Sequence, residues 1–519
     1  MRNGDTEADR VGGDDGPSVS PNMKKYLVKK QLRTYQMKVF LTVSITTLLF
    51  LASVQQAEPQ VNTGDDPNVV TQDQRVSLLF KGATIAPLAP GNDDFFVGYL
   101  AVDDAGRIVA VAPGEPPATL ADATVVDATG KIIIPGFITG HNHLWQSAFR
   151  GWAPDGELFP WLETLHRSGR FFLEKGDYYA FTLHGALDQL SHGVTTSHNH
   201  SQTVGTADRL QYLEQFEAEV DAGQHFVFSY IMDHSNGPEA ATNDLDAFIE
   251  RAGSLPAPNP SLEVSINGSG IWRGEENFQL EVALAKERGL TSQIHFLETS
   301  VRNENGRNEH EEFVRLVELD LLWPGLSFAH FIHTDEAMLE STANYGTAMI
   351  WNPLSNGRLA SGLADIVNAR KLGVRIGMGL DGQASGDISD PFENMRMGLY
   401  AIRMKYQSAK VLMPIDVLRM HTIEGAEVIG VADQVGSLEP GKWADFLIVD
   451  SRHPATGPVT NLYASLVFSF SSANVESVWV AGRKLVERGR ILHIDFDAVK
   501  DDVARRVAEV KERQMESSR

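Results

Sequence analysis

KIIIPGFITGHNHLWQSAFRG, residues 131–151, carries the signal that decides the fold. An apolar run, IIIPGFIT (132–139), reads as a buried strand and ends at His141 and His143. Residues two apart on a strand point to the same side, so both imidazoles face one way. Seven further short apolar segments follow: GVTTSH (193–198), FVFSYIM (226–232), LEVSIN (262–267), TSQIHF (291–296), LSFAHF (326–331), GTAMIW (346–351) and VRIGMGL (374–380). Most lead through a loop into a segment of helical pattern, such as FQLEVALAKERG (278–289). Eight β-then-α units over residues 131–430 predict an α/β fold, a (β/α)8 barrel of the TIM type with modest insertions. A doubly wound open sheet is the competing architecture. It often carries a Gly-rich phosphate loop after its first strand, and this chain has none there.

The flanks are β-rich. Residues 76–130 and 431–495 read as short strands with Gly and Asp turns, and Asp104-Ala105-Gly106 suits a hairpin. Together the two regions predict one small β-sandwich built from both chain ends. Residues 496–519 read as a charged C-terminal helix.

The first 75 residues have a different character. Residues 1–36 read as a disordered, then basic, leader; 37–57 as a signal peptide or an anchor; 58–75 as a linker. Basic followed by apolar is the order of a secretory signal, and the apolar run of 39–54 is shorter than the ~18 residues of a membrane span. The expected location is secreted or periplasmic, or membrane-anchored if the segment is not cleaved. The net charge of −23 argues against nucleic acid as a partner. With no cysteine in the chain, any metal must sit on His, Asp or Glu.

The C-terminal ends of barrel strands form the active face of such folds. Here they carry His141 and His143 on the first, His198 and His200 on the second, Asp233 and His234 on the third, His295 and Glu298 on the fifth, His330 and His333 on the sixth, and Asp381 on the eighth. Imidazole and carboxylate suit a borderline divalent cation, Zn2+ or Fe2+. His333 reads as a helix cap or a solvated group.

HNH after PGF, then HFLE, AHFIH and GLDG in this order, resemble the amidohydrolase superfamily, in its aminohydrolase/chlorohydrolase branch of guanine deaminase and atrazine chlorohydrolase type. NPLSN (352–356), LASG (359–362) and the stretch 422–450 extend the likeness from about residue 78 to 490. The resemblance implies one divalent metal, foremost Zn2+, on His141, His143, His295 and Asp381. It makes Glu298 the proton shuttle and places His330 beside the metal water, so that Glu298, His330 and Asp381 form the catalytic group. No Lys ends the fourth strand, so the bridging lysine of two-metal branches is missing. The implied reaction is hydrolysis of a non-peptide C–N bond in a small molecule, by deamination or by opening a cyclic amide or amidine. Dechlorination of a heteroaromatic ring and a non-catalytic ligand-binding role are the alternatives, and a homodimer is a further expectation. Candidate substrate contacts are Gln146, His198, His200, Ser269, Trp272 and Arg302. Gly268 and Ser269 stand where deaminases of the branch usually carry a histidine, which argues against a purine-type substrate.

Overall fold

A computed structural model describes residues 75–201, 211–256, 258–299 and 307–517. The leader, the apolar segment and nearly all of the linker lie outside those residues, and so does Arg302.

Eight parallel strands follow one another in sequence order around a barrel: Phe137–Asn142, Val194–His200, His225–Tyr230, Ser261–Asn267, Thr291–Phe296, Leu326–His330, Ala348–Trp351 and Arg375–Met378. The hydrogen bonds that bring the eighth strand's end to the first lie just past the strand, where the Leu380 N–H donates to Thr139 Oγ1 at 3.0 Å and the Asp381 N–H to the His141 carbonyl at 3.0 Å. Barrel closure and the candidate site thus share backbone.

One expectation needs correction. IIIPGFIT is not a single strand. Ile132–Pro135 runs antiparallel to Phe446–Val449 in a different sheet, and only Phe137–Asn142 enters the barrel. The chain changes sheets at Gly136, whose N–H donates to the Asp445 carbonyl while the next N–H donates to Gly193. A side chain at 136 would run into Thr195 at 2.1 Å. Both strands are apolar and fully buried, so hydrophobic pattern alone cannot register the switch.

The two β-rich ends of the described chain meet in one nine-stranded sheet. Its Val76–Ile85 strand pairs antiparallel with Phe96–Asp103, and on its other side with Thr124–Asp127 and Ile132–Pro135 at different heights. Both faces are covered: Leu100 and Val102 join one apolar layer, Tyr99 and Ala101 another. The turn at 104–106 forms the expected hairpin, with Gly106 at φ 85 packed against the Ala481 carbonyl.

The C-terminal helix, Phe496–Ser517, buries Val503 and Val510 in the cluster that holds Trp145, Phe149, Trp161 and Tyr178. Arg506 and Arg513 reach one buried carboxylate, Asp177, at 2.8 and 3.0 Å. Burying the Asp177 charge is tolerable because two guanidinium groups compensate it. The helix therefore backs the loop after the first barrel strand, which carries Trp145 and Gln146.

Candidate metal centre and active site

Three strand ends place the donors. His141 and His143 leave the first strand, His295 sits in the fifth, and Asp381 follows the eighth. The Nε2 atoms of His141 and His143 each lie 3.6 Å from Asp381 Oδ1, and His143 Nε2 lies 3.1 Å from His295 Nε2. Metal bonds of about 2.0–2.1 Å in a tetrahedron put donor atoms about 3.4 Å apart, so these three contacts are spaced for a cation; the donor atoms fall into three sets within 4.8 Å, His141–His143–Asp381, His141–His295–His330 and Glu298–His330–Asp381. The buried Nε2 of His141 finds no hydrogen-bond partner among the described residues, which is costly unless something positive faces its lone pair.

The ring protons are directed away from this centre. His141 Nδ1 meets Gln293 Oε1 at 2.6 Å, and His143 Nδ1 meets the His200 carbonyl at 2.9 Å. Each oxygen can only accept, so both rings carry their proton on Nδ1 and turn a lone pair on Nε2 inward. Gln293 is fully buried and is itself held, with its amide donating to the Gly140 carbonyl at 3.0 Å and to Ser327 Oγ at 3.2 Å. Gln293→Leu is expected to weaken cation affinity about 10- to 100-fold, the usual cost of losing such a partner, with the fold retained. Competition with a chromophoric chelator measures it; unchanged affinity would show that Gln293 only packs.

Burial lowers the pKa of His141, His143 and His295, aided by their crowding against other imidazoles except at His143, so their neutral forms are favoured. Burial opposes ionisation of Asp381, yet His330, His141, His143 and the Ser355 hydroxyl hold its carboxyl below the usual range. Glu298 goes the other way: burial, then Asp381 and Glu309, push its carboxyl well above the ordinary value. Its side chain is 13% exposed and its Oε2 lies 3.7 Å from His330 Nε2, which is 4.0 Å from Asp381 Oδ2. Glu298 thus lies at one edge of the histidine–aspartate cluster. His330 and Asp381 both take left-handed backbone angles, φ 74 and 57, which non-glycine residues adopt at a cost. The next N–H groups are tied down, Phe331 to the Phe296 carbonyl at 2.9 Å and Gly382 to Asp381 Oδ1 at 2.8 Å.

The remaining sequence candidates divide. His200 is buried, its ring centroid 4.6 Å from that of His295, 5.4 Å from His143 and 5.5 Å from His141, and its Nδ1 finds no partner among the described residues. His198, two residues earlier, also has an orphaned Nδ1. The Gln146 side chain is buried with a free Oε1. The Ser269 N–H donates to Glu281 at 2.8 Å while its hydroxyl finds no partner. Trp272 is half-buried under the Arg307 guanidinium, 3.9 Å from its ring centre. Two others are otherwise engaged. Arg150, in the loop after the first strand, pairs with Asp188, and the half-buried His333 does not cap the helix: it meets the Ser361 carbonyl at 2.7 Å, while Asp335 is the cap. His234 pairs with buried Glu281 at 2.8 Å. The glycine at 268 is required, because a Cβ there would lie 2.4 Å from Ile294.

Sequence reading missed Gln293, Asn352, Ser355 and Asn356. Gln293 lies two residues before His295, on the same strand face, and the other three are the polar letters of NPLSN. That placement was the available signal.

A model of the amidohydrolase family matches residues 132–485. The chain belongs to the amidohydrolase family. It is accordingly a hydrolase of carbon–nitrogen bonds other than peptide bonds, and its donor cluster is suited to a divalent metal. It is 30% identical over 426 residues to the 5-methylthioadenosine/S-adenosylhomocysteine deaminase of Desulforudis audaxviator, spanning 81% of this amidohydrolase and 96% of that protein. It is 27% identical over 396 residues to the 5'-deoxyadenosine deaminase of Methanobrevibacter smithii, covering 75% and 88%. Among solved structures, an adenosine deaminase from Xanthomonas campestris with bound zinc superposes with a TM-score of 0.73 at 21% identity, covering 84% and 99% of the two chains. Atrazine chlorohydrolase from Arthrobacter aurescens TC1, complexed with zinc, gives 0.72 at 20% identity, covering 83% and 100%. At these identities the two structures support the fold.

Proposed function

We propose that this amidohydrolase is a zinc-dependent deaminase that replaces the amino group of a nitrogen heterocycle with oxygen, releasing ammonia. The observation that carries the reading is Glu298, a carboxyl pushed up by burial, on the open edge of a donor set spaced for a cation. His141, His143, His295 and Asp381 would hold the ion. Bound there, it supplies Lewis acidity and lowers the pKa of a water toward about 7.

The chain's own groups carry the protons. Glu298 takes a proton from the attacking water and delivers it to the departing nitrogen, so a C–O bond replaces a C–N bond and ammonia leaves. A raised pKa suits both halves of that exchange near neutral pH. His330 Nε2, 4.0 Å from Asp381 Oδ2, holds the oxygen as it adds. His200, Gln146 and the Ser269 hydroxyl offer unpaired polar atoms for a ring bearing several nitrogens.

The relatives are named for 6-aminopurine nucleosides, which makes these the first substrates to test. The packed Gly268 removes one imidazole contact that adenosine-type sites of this branch usually have, so smaller cyclic amidines and pterins belong in the same screen. The experiment is ammonia release by the zinc-loaded chain over 5'-deoxyadenosine, methylthioadenosine, aminopurines, pterins and aminotriazines. Turnover of one class supports the reading. Halide release from chlorotriazines without ammonia from any amine would replace it with hydrolytic dechlorination. Among the described residues no helix is long and apolar enough to cross a membrane. Export remains a proposal resting on the basic-then-apolar order of residues 23–54.

A further inference from the structure

NPLSN does more than mark a lineage. Asn352, at the end of the seventh barrel strand, leads into the short helix Pro353–Arg358, with proline in its first turn. The turn is rigid: the Asn356 N–H donates to the Asn352 carbonyl at 2.9 Å, and Leu354 N–H to Asn394 Oδ1 at 3.1 Å. Three side chains from this one turn reach the two catalytic residues of neighbouring strands. Ser355 Oγ donates to Asp381 Oδ2 at 2.5 Å. The Asn356 Nδ2 lies 2.9 Å from His330 Nδ1, and Asn352 Nδ2 lies 3.3 Å from the same atom. Asn352, Ser355, Asn356 and His330 are all buried, so water cannot substitute for these contacts.

An imidazole nitrogen faced by two amide N–H groups is an acceptor. In a neutral ring its proton then sits on the other nitrogen. His330 differs in this from His141 and His143, whose Nδ1 atoms face oxygens and whose lone pairs point inward. The Nε2 of His330 is buried, meets no partner of its own, and lies beside Glu298 Oε2 and Asp381 Oδ2.

The geometry points to Asn352 and Asn356 as positioning residues that lock His330 in the Nε2–H form, making it a hydrogen-bond donor to the reacting oxygen and barring it from joining the metal ligands. The inference rests on the reading of the cluster as a cation site with Glu298 as proton carrier. One turn thereby separates two histidine roles that the sequence leaves alike. Ser355 completes the division. It occupies Asp381 Oδ2, so that Oδ1 is the oxygen turned toward His141 and His143. The design keeps coordination at three imidazoles and one carboxylate, and reserves the fourth imidazole for chemistry.

The test uses the full chain loaded with Co2+, read by visible absorption and by the rate of cobalt loss to EDTA. His330→Asn should leave the spectrum and the loss rate at the wild-type values. Asn356→Asp offers Nδ1 an acceptor of the same shape. It should draw the ring proton to Nδ1, turn the Nε2 lone pair toward the cation, change the cobalt spectrum and slow cobalt loss about tenfold. The same variant should lose kcat with little change in KM. Faster cobalt loss in His330→Asn, or an Asn356→Asp spectrum identical to wild type, overturns the assignment. If Asn356→Asp does not fold, 15N-histidine spectra of the zinc-loaded wild type decide it. His330, assigned by the signal missing in His330→Asn, should show Nδ1 as its unprotonated nitrogen; an unprotonated Nε2 would refute the lock. Failure of the wild type to bind cobalt at all would instead remove the cation reading beneath it.

Discussion

Glu298→Gln should lower kcat by about 10³-fold, or about 4 kcal/mol of barrier, while KM and bound metal stay near wild type. The amide has nearly the shape of the acid but cannot cycle a proton between the attacking water and the departing nitrogen. Its neutral form also suits the site, because burial and the nearby Asp381 already disfavour the Glu298 charge. Loss of the carboxyl therefore removes chemistry with little strain. Steady-state ammonia release on the best substrate of the screen, with metal analysis of the same sample, separates the effects. A variant within tenfold of wild type would mean that another group moves the proton. A fall in metal content in parallel with kcat would make Glu298 a ligand.

His141→Ala is the second large effect. Its side chain supplies one donor of the cluster, whereas its backbone carbonyl takes the Asp381 N–H that helps close the barrel. Alanine keeps the second and deletes the first. Bound cation should fall from about one per chain to a small fraction, and turnover by roughly 10⁴-fold, since several kcal/mol of transition-state stabilisation depend on the ion. Wild type stripped by a chelator should behave alike and regain activity on adding Zn2+. Its Tm should fall on stripping, because a ligand that binds only the folded chain stabilises it by mass action. Full turnover in a verified metal-free sample would defeat the metal-dependent mechanism.

The candidate metal-binding histidines were legible because strand geometry aligns them and the resemblance to amidohydrolases picked them out. His141 and His143 are two apart at a strand end, and His295 and Asp381 recur at later strand ends. Glu298 was legible from its place three residues after His295. The loop candidates fared less evenly. His333 reads like a cap but serves the Ser361 carbonyl, and His234, at a strand end like the site histidines, is spent on Glu281. Whether a polar side chain is free depends on partners tens or hundreds of residues away, which no local pattern contains. Gln293 was overlooked for the same reason: its partner His141 is 152 residues distant.

By itself the sequence determined the barrel, its eight-unit order and the kinds of donor at its active face, which follow from local periodicity and from residue types repeated at equivalent strand ends; the reaction class came from the resemblance of its motifs to the amidohydrolases. Only the tertiary structure decided that the apolar run before His141 belongs to two sheets, with Gly136 as the crossing point. Only it placed the atom that faces Nδ1 of each histidine, because that partner comes from another segment of the chain. A glutamine oxygen faces Nδ1 of His141, a carbonyl faces that of His143, and two asparagine amides face that of His330. The residue letters are the same; the atom facing Nδ1 differs from one histidine to the next, and in our proposal that partner separates the imidazoles that would hold the ion from the one that donates.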